Sequence, residues 1–266
     1  MRIGICSHAF RWSVGTSDFH PRHPLTLASF LEKSAGAGAE VVQICDNYAL
    51  AEQSDEELTS VADLARALGM TIEIGMSGAS PKNLHRHLKI AHVLKAQLIR
   101  IVLSGSAWTP ELSEQAEILK RLLDAMPDEM PVLAIENRFR FHPEQLAELI
   151  DVVGDPRAGV CLDPLNSISM LVGPQQTVAT LADLAVTMHV KDARTVRKNT
   201  SFLVSGCRLG DGIVNIPAIM KRVARSGKLR SVHVEAWMDQ AQNEEETLAL
   251  EEERVSHDIE YLRSMV

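Results

Sequence analysis

Four short apolar runs in the sequence each end in a side chain that can bind a metal ion. Their last residues are Glu136, Asp163, His189 and Glu235. Three carboxylates and one imidazole suit Mn²⁺ or Mg²⁺ and also accept Co²⁺ or Zn²⁺, whereas a structural zinc site would normally include thiolates. Any one of these residues alone would more simply cap a strand or pair with a neighbouring cation such as Lys191. Together, at successive strand ends, they predict a site for one divalent metal ion, with Mn²⁺ the first candidate.

The alternation of side chains within the four runs is typical of strands in a closed barrel. Successive side chains of a strand point to opposite faces. Positions on the face of each terminal residue are mostly small or polar, and those on the opposite face are large and aliphatic: Ile135 and Leu133, Leu162 and Val160, Met188 and Val186, Val234 and Val232. In a barrel wrapped by helices, aliphatic side chains point outward beneath the helices and ligand-type residues point into the barrel mouth. The four metal-binding candidates should therefore converge at that mouth.

The rest of the chain supplies the elements that such a barrel needs. Apolar strand-like runs alternate with helical segments eight times, and Gly38 and Gly69 mark helix ends. The length of 266 residues fits this architecture. The sequence thus predicts an α/β protein with a single (β/α)8 TIM-barrel domain over residues 1–266, a parallel eight-stranded barrel with outer helices. The longest irregular segment is expected from Asp192 to about Asn215.

The amino-acid composition limits the binding partners and the cellular compartment that we expect for this protein. A net charge of −8 argues against general binding to nucleic-acid phosphates. No apolar run is long enough to span a bilayer, and the N-terminus lacks the apolar region of a signal peptide. The four cysteines show no C-x-x-C spacing and are predicted to be buried thiols in a reducing compartment. We therefore expect a cytoplasmic protein with no nucleic-acid and no membrane partner.

Residues near the predicted strand ends are candidates for substrate binding. His8, Trp12 and Trp108 lie at or beyond the ends of the first and fourth strands, where aromatic rings either stack on a sugar ring or pack the loops. Lys191 follows the seventh strand and would stabilise a developing oxyanion. The alternative for Lys191 is a salt bridge to one of two aspartates, Asp163 or Asp192.

Three further residues are predicted to lie deeper in the barrel. Glu73 and Arg100 share the inward face of adjacent strands, below the strand ends, and are expected to form an internal structural ion pair. His233 precedes Glu235 by two residues and should occupy the same lower layer as a hydrogen-bonded core histidine.

The motifs around the four metal-binding candidates resemble the xylose isomerase-like TIM-barrel superfamily of sugar phosphate isomerases and epimerases. The motifs are Ile135-Glu136-Asn137, Leu162-Asp163-Pro-Leu-Asn166, Met188-His189-Val-Lys-Asp192, Val234-Glu235 and Gly210-Asp-Gly212. The resemblance covers the whole chain. It implies a metal-dependent sugar isomerase or epimerase that acts on a ketose, keto-sugar or sugar acid through a metal-stabilised enediolate. Glu136 and Glu235 would then be both metal ligands and the catalytic pair that removes and returns a proton. A small-molecule sugar or sugar-acid partner and a homo-oligomer are also implied.

The sequence departs from the family pattern at three places in these motifs. Asn166 stands where 3-epimerases usually carry histidine, and Arg138 stands where the family often carries histidine after Glu-Asn. Asp211 stands where the family has glutamate between two glycines. The extra arginine, together with Arg194 in the basic segment after the seventh strand, predicts an anionic group on the substrate, either carboxylate or phosphate. The predicted substrate-binding residues are His8, Trp108, Asn166, Lys191 and Arg194.

Two other enzyme classes share the same superfamily. A lyase or dehydratase acting on a keto-sugar or inosose is the close alternative, because its reaction begins with the same metal-assisted proton abstraction. An endonuclease IV-like nuclease is a weaker alternative, because its trinuclear zinc site needs more histidines than the strand ends of this chain provide.

Overall fold

The computed structural model describes residues 1–103, 111–127 and 131–265. Eight parallel strands close into a barrel in which each strand pairs with its neighbours in chain order and the last pairs with the first. The prediction of a (β/α)8 barrel is confirmed. The barrel strands are β1 Arg2–Cys6, β2 Val41–Ile44, β3 Thr71–Ser77, β4 Leu98–Val102, β5 Val132–Glu136, β6 Ala158–Leu162, β7 Ala185–Val190 and β10 Ser231–Val234.

Helices surround the barrel, and most of them begin at polar caps or at proline. Ser54 and Glu57 form a capping box at the start of α3, and Ser80, Asn215 and Asn243 accept a backbone N–H at three other starts. The helices are α1 Arg11–Val14, α2 Leu27–Gly36, α3 Asp55–Ala67, α4 Pro81–Leu94, α5 Leu112–Ala125, α6 Pro143–Val153, α7 Pro174–Leu181, α8 Ile216–Ala224 and α9 Glu244–Arg263. Short 3₁₀ turns cover Ser7–Phe10, Leu50–Glu52 and Asn166–Met170.

The core has the two layers that the strand alternation predicts. Large aliphatic side chains of the strands pack outward with the helices, among them Ile135, Leu162 and Val234. A small inner cluster contains Leu98, Val132, Ala134, Cys161 and Val186. Val186 is therefore an exception to the predicted outward set. The pairing of β6 with β7 shifts register between Val160 and Cys161, and this irregularity turns Val186 inward.

Residues 192–207 after β7 form a β-hairpin, so the prediction of an irregular segment was wrong for them, and residues 208–215 are irregular as predicted. Strand β8 Asp192–Lys198 pairs antiparallel with β9 Ser201–Cys207. Branched and aromatic side chains favour extended backbone on both sides of the turn, which includes Asn199 with a positive φ of 55°. At the base of the hairpin, the Asp192 carboxylate accepts the N–H groups of three residues, Gly210, Gly212 and Val214.

Among the helices of the described residues, none is long and apolar enough to cross a membrane.

Candidate metal centre and active site

The four predicted metal-binding residues meet at the C-terminal mouth of the barrel. Glu136 is the last residue of β5 and His189 lies near the end of β7, while Asp163 and Glu235 directly follow β6 and β10. One ligand atom from each lies within 4.8 Å of the others. All four residues are buried, with exposed fractions of 8% or less. The barrel thus brings together side chains that are separated by 99 positions in the sequence.

The donor atoms in this cluster fit a divalent cation. Each residue offers one buried atom with no hydrogen-bond partner among the described residues: Glu136 Oε2, Asp163 Oδ2, His189 Nδ1 and Glu235 Oε2. Glu136 Oε2 and Asp163 Oδ2 each have a cationic neighbour, Arg100 and Lys191, and His189 Nδ1 lies 2.5 Å from Glu235 Oε2. Buried polar atoms are costly to leave without hydrogen-bond partners, and a divalent cation among these four atoms would satisfy them. Three carboxylates and one imidazole are a suitable set for Mn²⁺, Mg²⁺, Co²⁺ or Zn²⁺.

Both carboxylate oxygens of Glu136 have a partner that fixes the side chain. Its Oε2 pairs with the Arg100 guanidinium, and both side chains are 1% exposed. Its Oε1 accepts a hydrogen bond of 2.8 Å from Asn166 Nδ2. Burial alone would raise the pKa of Glu136, but the charge of Arg100 lowers it to about 2. Glu136 is therefore an ionised carboxylate with a fixed orientation.

The predicted ion pair between Glu73 and Arg100 was wrong. Arg100 reaches upward to Glu136, and Glu73 lies 2.9 Å from His233 Nε2. The prediction that His233 is a hydrogen-bonded core histidine is confirmed by the same contact. Glu73 Oε1 also accepts a hydrogen bond from Ser231. The partner of each charged group depends on how far its side chain extends along the barrel axis toward the mouth. The alternation of side chains along a strand does not predict that distance.

A chain of hydrogen bonds below the cluster sets the orientation of His189. Gln43 Nε2 donates to Glu73 Oε2 at 3.1 Å, so Gln43 Oε1 faces His189 Nε2 at 2.7 Å. An amide oxygen only accepts, and His189 Nε2 must therefore carry the proton. His189 Nδ1 faces the carboxylates and lies 2.5 Å from Glu235 Oε2. Burial opposes the charged ring, but Cys161 and Glu235 raise the pKa of His189, so a metal ion would replace a proton on Nδ1 when it binds. A ring nitrogen fixed in this way is a typical metal ligand.

Lys191 lies between two of the carboxylates. Its Nζ is 2.8 Å from Asp163 Oδ2 and 2.7 Å from Glu235 Oε1, and it lies 4.6 Å from the centre of the Trp237 ring. Burial opposes the charged form, but Asp163 and Glu235 raise the pKa of Lys191 above its usual value. Lys191 therefore carries a proton at neutral pH, next to a carboxylate that faces the cavity.

A cavity of about 560 Å³ opens above the cluster. Glu235 lines it, together with His8, Arg11, Asp46, Asn47, Arg138, Phe139 and Trp237. His8 Nε2 lies 3.2 Å from Asp46 Oδ1. Burial would lower the pKa of His8, but its hydrogen bond to Asp46 raises it. The wall therefore combines aromatic rings with positively charged groups, a combination suited to a small anionic polyol.

The structure separates the predicted substrate-binding residues into three groups. His8, Asn166 and Lys191 lie at the cavity or contact the metal-binding cluster. Arg194 is elsewhere: it is exposed, binds Asp211, and lines a different groove beside α9. Trp108 lies outside the described residues. Trp12 packs a loop, since its Nε1 donates to the Met238 carbonyl and its ring packs on Phe19.

Sequence reasoning missed several residues of the site. Gln43 had the clearest signal in the sequence, because it is a polar residue within the apolar run of β2. Asp46 directly follows that run and gave a weaker signal of the same kind. Cys6 was predicted only as a buried thiol, yet its sulfur lies within 4.8 Å of ligand atoms of His189 and Glu235. It is also 3.5 Å from the sulfur of Cys45.

Comparison with known proteins identifies similar chains across nearly the whole length. The model of the xylose isomerase-like TIM barrel family matches residues 31–265. The 3-oxo-isoapionate decarboxylase of Pectobacterium atrosepticum is 30% identical over 264 residues, which cover 98% of this chain and 95% of that protein.

Solved structures show the same fold at lower identity. D-psicose 3-epimerase with D-tagatose from Clostridium cellulolyticum H10 has a TM-score of 0.74 and 14% identity, covering 100% of this chain and 99% of that one. A xylose isomerase-like TIM barrel protein from Mycobacterium smegmatis in complex with magnesium has a TM-score of 0.72 and 14% identity, covering 99% and 97%. At such identities the likeness establishes the architecture and leaves the reaction open.

Proposed function

This chain belongs to the xylose isomerase-like TIM-barrel family, and from that premise we propose that it is a divalent-metal-dependent decarboxylase of a 3-oxo sugar acid. The relative that is 30% identical over nearly the whole chain is named as a decarboxylase of a 3-oxo acid. The proposal moves from the isomerase or epimerase expected from sequence to the lyase alternative.

The unequal environments of the two glutamates are the observation that carries this proposal. Glu136 is sealed between Arg100 and Asn166, whereas Glu235 lines the cavity. Epimerisation by proton transfer needs two groups that exchange protons on opposite faces of the substrate. Decarboxylation needs only one proton donor, because the first bond to break is a C–C bond. An arrangement with one carboxylate at the cavity and one sealed away from it favours the second reaction.

The chemistry of a 3-oxo acid agrees with the groups in the cavity. The bond between the carboxylate carbon and the α-carbon breaks, CO2 leaves, and the electron pair moves into the neighbouring ketone to give an enolate. A proton is then added to the α-carbon. A cation held by Glu136, Asp163, His189 and Glu235 would supply Lewis-acid polarisation of the ketone.

The residues of this chain have separate parts in that reaction. Glu235 lines the cavity at the substrate, and the protonated Lys191 Nζ, 2.7 Å from Glu235 Oε1, is the proton source for the α-carbon. Glu136 acts as an ionised ligand, and Arg100 keeps it in that state. Arg138, His8 and Arg11 line the cavity and bind the substrate's anionic and hydroxyl groups.

Isomerisation or epimerisation of a ketose is the second candidate. Two glutamates flank the cluster, as the resemblance implies for such enzymes, and the fold is shared with a 3-epimerase. This candidate requires Glu136 to exchange a proton despite its ion pair with Arg100.

Product analysis in deuterium oxide distinguishes the two reactions. We would incubate the Mn²⁺-loaded protein with a panel of 3-oxo sugar acids and, separately, with ketoses, and measure CO2 and product mass against the uncatalysed rate. The proposal predicts CO2 release and a product with one solvent deuteron at the former α-carbon. Deuterium exchange into a ketose of unchanged carbon number, without activity on the acids, would contradict it. Glu235→Gln should abolish turnover, and the exposed Glu245→Gln serves as the matched control.

A further inference from the structure

The proton source of the proposed reaction has almost no contact with solvent. Decarboxylation of a 3-oxo acid consumes one proton in each cycle, because the α-carbon gains a hydrogen when CO2 leaves. Lys191 gives that proton, and its side chain is only 2% exposed. The Trp237 ring lies 4.6 Å from Lys191 Nζ and covers it. Another group must therefore bring a proton from solvent before the next cycle begins.

The contacts of Lys191 show from which side that proton arrives. Nζ lies 2.8 Å from Asp163 Oδ2 and 2.7 Å from Glu235 Oε1. Asp163 is fully buried, whereas Glu235 lines the cavity. A proton from solvent must therefore reach Lys191 through the cavity, on the side where Glu235 lies.

His8 has the chemistry of a group that carries protons into this cavity. Among the described residues that line it, His8 is the one whose side chain ordinarily titrates near neutral pH. Its side chain is 24% exposed, so it also meets solvent. Burial would lower the pKa of His8, but the hydrogen bond to Asp46 raises it, and the negative charge of Glu235 adds to the rise. These charges favour the imidazolium form, which has a proton to give.

The pairing of strands places His8 between Glu235 and solvent. Strand β1 pairs with β10 in a register that sets Ile5 beside Val234. The next residues, Cys6 and Glu235, therefore lie at one level of the barrel mouth. His8 comes two residues after Cys6, in the turn that follows β1, and so lies farther out along the same side of the cavity.

Asp46 gives the two ring nitrogens of His8 different parts. Its Oδ1 lies 3.2 Å from His8 Nε2, and because an ionised carboxylate only accepts, Nε2 keeps its hydrogen. Asp46 is itself held in place, since Oδ2 accepts a hydrogen bond from the Ser77 hydroxyl and Arg100 Nη1 lies 3.9 Å from Oδ1. His8 Nδ1 has no hydrogen-bond partner within the described part of the chain. Nδ1 is therefore the nitrogen that can release and regain a proton.

We propose that His8 is the proton relay between solvent and the buried end of the cavity, an inference that rests on the proposed decarboxylation. After each cycle, His8 releases the proton on Nδ1 to water in the cavity, and the neutral amine of Lys191 takes up a proton from that water. His8 then regains a proton at Nδ1 from solvent or from a buffer acid. Over one cycle, one proton passes from solvent to the α-carbon, and both side chains return to their starting state.

Comparison of single-turnover and steady-state rates tests the relay. When the Mn²⁺-loaded protein is in excess over a 3-oxo sugar acid, the proton already on Lys191 is sufficient, whereas saturating substrate requires a new proton in every cycle. For His8→Gln in dilute buffer, the ratio of the steady-state to the single-turnover rate of CO2 release should fall at least about tenfold. Added imidazole carries protons by the same chemistry and should restore most of that ratio. His85→Gln, at an exposed histidine on α4, is the matched control and should keep the wild-type ratio.

The possible outcomes separate the relay from the reaction itself. An unchanged ratio in His8→Gln would overturn the relay and leave decarboxylation in place. Equal falls in both rates would also overturn it, because His8 would then only bind the substrate, and so would a fall that imidazole does not reverse. Absence of CO2 from the wild type in a single turnover would contradict the proposed function, and the relay with it.

A second variant tests the relay if His8→Gln fails to fold, which circular dichroism melting would reveal. Asp46→Asn keeps His8 but removes the carboxylate that holds Nε2–H. The ratio of the two rates should fall by a smaller factor than in His8→Gln, and imidazole should again restore it. A wild-type ratio in Asp46→Asn would count against the assigned parts of the two ring nitrogens.

Discussion

Arg100 on β4 and Glu136 on the adjacent strand β5 form an ion pair inside the barrel. Both side chains are 1% exposed. The pair keeps Glu136 ionised and immobile at the edge of the metal-binding cluster. Glu235, the other glutamate of the cluster, lines the cavity. This asymmetry between two glutamates of the same cluster underlies the proposed reaction.

Removing the cation of this pair should destabilise the protein and change its response to acid. Arg100→Met leaves a buried carboxylate without its partner, at an expected cost of about 3 to 5 kcal/mol in unfolding free energy. The folded pKa of Glu136, about 2, lies below its ordinary value. The pair therefore stabilises the protein above the ordinary pKa of a glutamate and ceases to do so as pH falls toward 2. Urea unfolding at several pH values should show that the variant loses this acid-range slope; an unchanged slope would argue against the pair.

Loss of a single ligand should weaken metal binding. Asp163→Asn and Glu235→Gln each remove one carboxylate from the cluster, and calorimetry should show a clear loss of Mn²⁺ affinity. Mn²⁺ at 100 times its dissociation constant stabilises a folded protein by about 2.7 kcal/mol, so the melting temperature of the wild type should rise on adding it. Glu245→Gln, an exposed carboxylate on α9, should retain that rise. Equal metal-induced shifts in all variants would place the ion elsewhere.

Gln43 should act on metal affinity through His189. Gln43→Met preserves volume but removes the acceptor for His189 Nε2, and loss of such a partner typically lowers metal affinity by about 10- to 100-fold. Titration of Mn²⁺ by electron paramagnetic resonance measures this effect directly. Gln97→Met, which removes a glutamine that binds Arg2 at the base of the barrel, is the control. Comparable losses in both variants would indicate a general structural effect.

Lys191 should affect turnover and metal affinity in opposite directions. Lys191→Met removes the proposed proton source, so kcat should fall by about 10² to 10⁴. The same change removes an ammonium that contacts Asp163 and Glu235, and Mn²⁺ affinity should therefore increase. Steady-state kinetics measure the expected fall in kcat, and calorimetry on the same preparation measures the expected rise in Mn²⁺ affinity. Reduced metal affinity would mean that Lys191 supports the ligands instead of competing for them.

His8 should contribute a small pH-dependent part of the stability. Its hydrogen bond to Asp46 raises its pKa above the ordinary value, against the effect of burial. The contribution is therefore fully present below the unfolded pKa of about 6.5 and disappears as pH rises through the folded pKa. Because both partners are partly exposed, it should stay under about 1 kcal/mol. His8→Gln should flatten stability between weakly acidic and weakly basic pH in denaturant titrations, without changing it at high pH.

The sequence by itself determined the barrel, the strand ends and the convergence of four ligand side chains. The period-two alternation of strands and the residues that begin and end helices are local signals in the sequence. Parallel strands of one barrel must also end at the same mouth. These rules also identified His233 as a core histidine. They did not predict the inward position of Val186, because a register irregularity in the pairing of two strands is not visible in the sequence of either strand alone.

Only the tertiary structure decided which charges pair and which residues reach the cavity. Arg100 is long enough to pass Glu73 and bind Glu136, and the stagger of the barrel strands selects between these partners. Arg194 appeared suitable for an anionic substrate, but the hairpin directs it into the groove beside α9. Strand alternation reports the face of a side chain. The height and reach of that side chain depend on strand register and on neighbours distant in sequence, and these exist only in the folded chain.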